Sequence, residues 1–219
     1  MSPPAHFTLR GAVLCGDRNS TIGTRMSLPS AHVTVRPYRP SDETGWLRCR
    51  VLAFLDTQYF DDVKPRRTVL SEPAIALVAV TPAADIVGIL DVEIDGQAAT
   101  IDTIATHPDH RGVGIATALL HTALPLHEHD NISTLDAWTR EDIAANRWYQ
   151  SNGFAENYRY LHIYLSDGDD QSGFVTPDGL STPVSAFTHG KIEDETRMRA
   201  AFTRVYICRQ YVRSVTPKP

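Results

Sequence analysis

The spacing of apolar residues changes repeatedly along the chain, and each change marks an element. His32 to Arg36 is a short strand-like segment. Ser41, Asp42 and Glu43 then supply a helix cap with acids in the first turn, and Trp46, Leu47, Val51, Leu52 and Leu55 follow at helical spacing. Ala74 to Val80 is an unbroken apolar run, Pro82 to Asp85 turns the chain, and Ile86 to Ile94 is a second run, which together predict a hairpin. A third strand, Ala98 to Thr106, ends at His107 because Pro108 disfavours helix at the residue before it.

Ile115, Leu119, Leu120 and Leu124 share one helical face up to about Leu126, and Ile132 to Trp138 reads as a strand. Thr139 to Asp142 caps a helix running to about Ser151, which Asn152 and Gly153 terminate. Phe154 to Leu165 alternates as a strand, Ser166 to Ser185 reads as a loop insertion, Glu193 to Phe202 as a short helix and Val205 to Arg213 as a last strand. This order predicts an α/β (α+β) domain, a mixed sheet with helices on both faces. Residues 32–165 form its main body, and 166–219 add the loop, the short helix and the last strand. Residues 1–31 show neither period and read as a flexible leader, with Met26 a candidate start of translation.

Composition narrows the class. Hydrophobic residues at 42% and charged residues at 21% are globular values, and no apolar run approaches the ~20 residues of a membrane span. The 219 residues suit one domain with additions. Cys15, Cys49 and Cys208 cannot all pair and lack metal-finger spacing, so a reducing, cytoplasmic setting is expected. The net charge of -5 is uneven: residues 32–190 hold 11 basic against 22 acidic residues, while both ends are basic. An acidic body argues against tracking nucleic acid and fits a cationic substrate, as it also fits a solvated surface.

The chemistry concentrates in Ile101 to Leu120. A glycine-rich turn between strand and helix presents free N–H groups and the positive end of the helix dipole, which suits a phosphate, and Arg111 adds a cation to the same turn. A P-loop needs Lys and Ser/Thr after the last glycine, where Ile115 stands. A dinucleotide turn needs a small residue at Thr117 and no residues between strand and turn, whereas His107 to His110 intervene.

Arg111 to Ala116, Arg-Gly-Val-Gly-Ile-Ala, matches the Q/R-x-x-G-x-G/A signature of the GNAT family of N-acetyltransferases. Tyr149 to Phe154, Tyr-Gln-Ser-Asn-Gly-Phe, resembles the Y-x-x-x-G-F that follows the fifth strand in many members. The resemblance covers about His32 to Leu165. It implies a mostly antiparallel mixed sheet splayed between its fourth and fifth strands, and acetyl-CoA as cosubstrate. Its implied diphosphate site is the backbone of Arg111, Gly112, Val113, Gly114, Ile115 and Ala116, with Thr117 at the helix start.

Pantetheine would pair with Ile104, Ala105 and Thr106, with the thioester carbonyl near the Ala105 N–H. Tyr149 would be the general acid that protonates the departing thiolate. The family often has Asn seven residues before this Tyr. Here Asp142 holds that place and Asn146 lies nearer, so either is a candidate for contacting pantetheine.

The family's usual direct attack of an amine on the thioester also needs a base. Asp102, Asp91 and Glu93 are candidates because acids in apolar strands are costly unless paired or exposed; an outward, half-wet position accounts for Asp91 and Glu93 equally well. Tyr59, Phe60, Asp61 and Asp62 follow the first helix, where the family builds its acceptor pocket, and acids beside aromatics suit a cation. A surface loop explains them as well.

His127, Glu128, His129 and Asp130 read as a solvated loop rather than a metal site, and the Tyr158, Tyr160, Tyr164 stripe as sheet core or an interface, compatible with a homodimer. The resulting expectation is an acetyl-CoA-dependent N-acetyltransferase acting on a small-molecule or peptide amine, with no nucleic-acid or membrane partner. A non-catalytic acyl-CoA-binding domain and a nucleotide-binding α/β protein are the alternatives.

Overall fold

The computed structural model describes residues 11–13, 33–129 and 132–215; Met26 and Cys15 lie outside them. Among the described residues nine strands form one sheet, β1 (Gly11–Val13), β2 (Thr34–Pro37), β3 (Ala74–Val80), β4 (Ile86–Asp95), β5 (Ala98–Thr106), β6 (Thr134–Thr139), β7 (Ala155–Leu165), β8 (Ala186–Gly190) and β9 (Arg204–Ser214). Four α-helices join them, α1 (Glu43–Phe54), α2 (Ile115–His129), α3 (Ile143–Ser151) and α4 (Glu195–Ala201). The sheet order is β2-β3-β4-β5-β6-β9-β7-β8, with β1 added beside β5.

The expected antiparallel hairpin forms between β3 and β4, and β4 pairs antiparallel with β5. The parallel pair of β5 with β6 spans only Ala98–Ile101 against Thr134–Ala137. Beyond Ile101 the two strands part, which is the expected splay. The last strand, β9, lies between β6 and β7 rather than at an edge, antiparallel to both.

The two faces carry different helices. Leu77, Leu90, Ile101 and Ile104 point to one face, where Ile115, Leu119 and Ala123 of α2 and Ala145 and Tyr149 of α3 cover them. Val78, Ile89 and Ala105 point to the other, against Trp46, Cys49 and Phe54 of α1. This is the period-2 alternation of a sheet buried on both sides. Gly88 lets α2 start close to the sheet: a Cβ there would meet Ile115 Cγ2 at 2.5 Å.

The structure differs from the sequence reading at three places. The leader contributes a strand, β1. A further edge strand, β8, follows the 166–185 loop. Helix α2 runs through His129 with Pro125 inside it, so residues 127–129 form its last turn rather than a loop. The side chains of His127, Glu128 and His129, and Asp130 altogether, lie outside the described residues. Among the described residues no cluster suits a metal, and no helix is long and apolar enough to cross a membrane.

Candidate functional site

The glycine turn sits between the end of β5 and the start of α2. Pro108–His110 form a single 3-10 turn after the strand, and the chain then passes through Gly112 (φ 75°) and Gly114 (φ 86°) into the helix. Both angles lie in the left-handed region that costs a side chain about 1–2 kcal/mol. A Cβ on Gly114 would meet nothing within 4 Å, so the backbone borders open space.

The amides of Gly112, Val113 and Gly114 bond to no other group among the described residues, and the first N–H groups of α2 have no intrahelical acceptor. The cleft they face has a volume of ≈ 210 Å³ and is also lined by Thr106, Thr117, Ala144 and Trp148. Trp148 Nε1 donates to Thr117 Oγ1 at 3.0 Å and braces α3 against α2 across this cleft, a role its position in the sequence did not suggest.

Arg111 departs from expectation. Its guanidinium turns to the end of α1, donating to Ala53 O at 2.8 Å and pairing with Asp56 at 3.2 Å. The cation expected beside the phosphate is thus paired with the end of α1, although Arg111 still lines the cleft with the main-chain dipoles of the turn. His107 is also occupied locally, its Nδ1 accepting from Asp109 N at 3.2 Å.

Below the turn, Ile104, Ala105 and Thr106 lie on the part of β5 that β6 has left. Tyr149 of α3 is fully buried, stacked on Tyr211 with centroids 5.2 Å apart, and its hydroxyl has no hydrogen-bond partner among the described residues. Burial pushes its pKa well above the ordinary phenol value, so it holds its proton. A buried unpaired hydroxyl costs about 1–3 kcal/mol, which makes this group conspicuous.

Asp142 and Asn146 are engaged within the protein. Asp142 Oδ1 accepts from Ala145 N at 2.7 Å and caps α3, and burial raises its pKa. Asn146 Nδ2 donates to Arg140 O and Asp142 O, while its Oδ1 accepts from Tyr211 O–H at 2.8 Å. Both therefore shape the start of α3 and neither is left with an idle acceptor.

Four of the acids expected around the acceptor, Asp61, Asp62, Asp91 and Asp102, each stand beside a cation of the chain. Asp91 is bidentate with Arg67 at 2.7 and 2.8 Å; burial pushes its pKa up to about 6 against the opposing pull of Arg67. Asp102 is the extra residue of a bulge between Asp91 and Val92 of the β4–β5 ladder; it accepts from Thr103 Oγ1 at 2.9 Å and has Lys64 Nζ at 3.6 Å. Asp62 pairs with buried Arg50 at 2.6 Å, and Asp61 with Arg204 at 2.5 Å.

Glu93 is half-buried on β4 opposite Ala74. Tyr59 is fully buried in the α1 core, its hydroxyl accepting from Arg140 N at 3.0 Å. It is core rather than pocket wall. The expected acidic pocket for a cation is therefore largely neutralised from within.

The sequence reading also missed Arg140, at the end of β6. It is fully buried, stacked 4.0 Å over the Tyr59 ring, and donates to His162 Nδ1, Gln58 O and the Tyr164 hydroxyl. Burial and this neighbouring cation keep His162 neutral, well below its ordinary pKa. Its partners lie 22 to 82 residues away, so no local pattern announces the network.

Comparison with known proteins agrees with the geometry. Residues 72–156 match the family model of the acetyltransferase (GNAT) domain. Among solved structures, the ribosomal-protein-S18-alanine N-acetyltransferase from Escherichia coli is 15% identical with a TM-score of 0.54, over 85% of this chain and 96% of that one. A protein assigned as an acetyltransferase from Acinetobacter baylyi ADP1 is 13% identical, with the same TM-score and the same coverage. One from Staphylococcus epidermidis is 10% identical with a TM-score of 0.54, over 84% and 99%. At these identities the likeness is one of fold. The sequence matches none of the curated proteins it was compared with.

Proposed function

Because residues 72–156 match the GNAT acetyltransferase domain model on a GNAT-like fold, we propose that the protein transfers an acetyl group from acetyl-CoA to a primary amine by direct attack. The observation that carries the reading is a coincidence at one end of β5. There the strand edge that β6 has left, bordered by Gly11–Val13, meets a helix N-terminus with unspent amides, and α3 carries a buried Tyr149 hydroxyl with no hydrogen-bond partner among the described residues. The donor set fits a long, anionic, strand-like cosubstrate: main-chain N–H groups for a diphosphate and, past Ile101, a β edge that β6 leaves to another extended partner, here Gly11–Val13, for an amide-bearing arm.

When bound, acetyl-CoA would supply the activated thioester. The amides from Arg111 to Ala116 would hold its diphosphate, and Ile104 to Thr106 its pantetheine, with the Ala105 N–H available to negative charge on the carbonyl oxygen. Tyr149, kept protonated by burial, is assigned to donate its proton to the departing sulfur. Asp102 is assigned to take the proton of the amine; its place at the bulge puts it one residue from Thr103, where β5 has parted from β6.

The acceptor is an amine on a small molecule or peptide. A cationic character is not part of this reading, since Asp61, Asp62, Asp91 and Asp102 already face cations of the chain. A thiol-release assay with acetyl-CoA and a panel of small-molecule and peptide amines tests the reading. Amine-dependent release that falls at least about a hundredfold in Tyr149→Phe, the scale of a lost general acid, is expected. Tight CoA binding with no release from any amine would leave a binding domain in place of an enzyme.

A further inference from the structure

The slot assigned to pantetheine is bordered by a piece of the chain itself. Strand β1 runs parallel to β5 with Gly11 opposite Thr103, Ala12 opposite Ile104 and Val13 opposite Ala105. These pairings begin at Thr103, two residues past Ile101 where those of β6 stop, and β1 also lies within 8 Å of residues in β6 and α3. The leader thus enters the splay, beside the helix that carries Tyr149, and takes up the main-chain groups of β5 that a bound pantetheine arm would need.

We propose that Gly11–Val13 is a built-in competitor that closes the acyl-donor slot until the cosubstrate displaces it. The inference rests on the acetyl-CoA reading above. Its physical basis is simple. An unpaired strand edge inside a sheet is a template for any extended chain, and main-chain pairing needs no side-chain recognition. Three residues bind weakly on their own, but a tether to β2 holds them at an effective concentration on the order of millimolar. Strand and pantetheine cannot occupy one edge together, so each must weaken the other equally. If the slot is open in about a tenth of molecules, the apparent Kd for CoA lies about tenfold above the intrinsic one.

Full-length protein and the full-length double variant Ala12→Pro/Val13→Pro provide the test. Consecutive prolines remove two amide donors and cannot sustain a ladder. Calorimetric titration with CoA is expected to give a Kd about tenfold tighter in the variant, with a melting temperature lower by a few degrees because the same pairing no longer stabilises the fold. Hydrogen exchange of the wild type with and without CoA supplies a second readout: exchange in residues 11–13 should speed up when CoA is added, while Thr103–Thr106 stay protected.

Equal CoA affinity in both proteins, or residues 11–13 that stay protected at saturating CoA, overturns the inference while leaving the cosubstrate reading intact. Failure of both proteins to bind CoA removes the cosubstrate reading and the competitor with it.

Discussion

At the glycine turn, the amides of Gly112, Val113 and Gly114 make no hydrogen bond among the described residues, and a Cβ on Gly114 would meet nothing within 4 Å. On the α1 side of the same sheet, Asp62, Asp91 and Asp102 stand beside Arg50, Arg67 and Lys64. One region keeps its polar groups unspent; the other has consumed them. Unspent donors beside open space are what a ligand site requires, whereas buried ion pairs chiefly fix a geometry. This difference supports the proposal that the main chain of the turn recognises the anion, while the ion pairs hold the α1 side in place.

The contrast can be broken most sharply at Gly114. In Gly114→Glu a carboxylate would project into the cleft from a backbone at φ 86°, so CoA affinity should fall at least about a hundredfold, as like charges in contact cost a few kcal/mol. Calorimetry checks it; affinity within a few-fold of wild type would move the diphosphate elsewhere.

The paired side is probed by Arg67→Met, which strands Asp91. Removing one partner of a buried pair costs about 3–5 kcal/mol, and urea unfolding should register it. The pH dependence has a definite sign. Asp91 has its folded pKa raised, to about 6, above the ordinary carboxylate value, so its contribution favours folding at low pH and fades as pH rises through about 6. Without Arg67 the pKa climbs further. The variant should therefore be hurt more at pH 8 than at pH 5, and equal loss at both would contradict the pairing.

A smaller effect is expected for Tyr149→Phe on stability. Deleting a hydroxyl that has no partner should leave the melting temperature unchanged or raise it slightly, even as turnover drops. A clear destabilisation would mean that the hydroxyl has a structural partner. The smallest effect belongs to Arg111→Met. Its charge faces Asp56 and Ala53 O, so the loss should be one of stability, within about 1 kcal/mol, with CoA affinity nearly unchanged.

What could be read from the chain beforehand follows the same division. The hairpin and the helices were legible because their apolar positions repeat over seven or more residues, as in Ala74–Val80, whereas the splay of β5 from β6 was expected only from the family resemblance. The turn was legible because its function resides in a contiguous backbone, and Gly112 and Gly114 announce it. Strand β1 was not, since three residues show no period. Strand β8, Ala186–Gly190, leaves its residues half-buried or exposed at the sheet edge and so carries no apolar alternation. The pairs Arg67–Asp91 and Arg50–Asp62 were hidden because a side chain's partner is set by the fold and not by spacing. The same holds for Arg111: its residue type suggested a phosphate, but its neighbours across the sheet claimed it.

A crystal structure of the full chain with CoA tests the central claim most directly. The account predicts the diphosphate on the amides between Arg111 and Ala116, the pantetheine arm along Ile104 to Thr106 in place of Gly11–Val13, and the sulfur within hydrogen-bond reach of the Tyr149 hydroxyl. CoA bound away from this turn, or its sulfur remote from Tyr149, would contradict it.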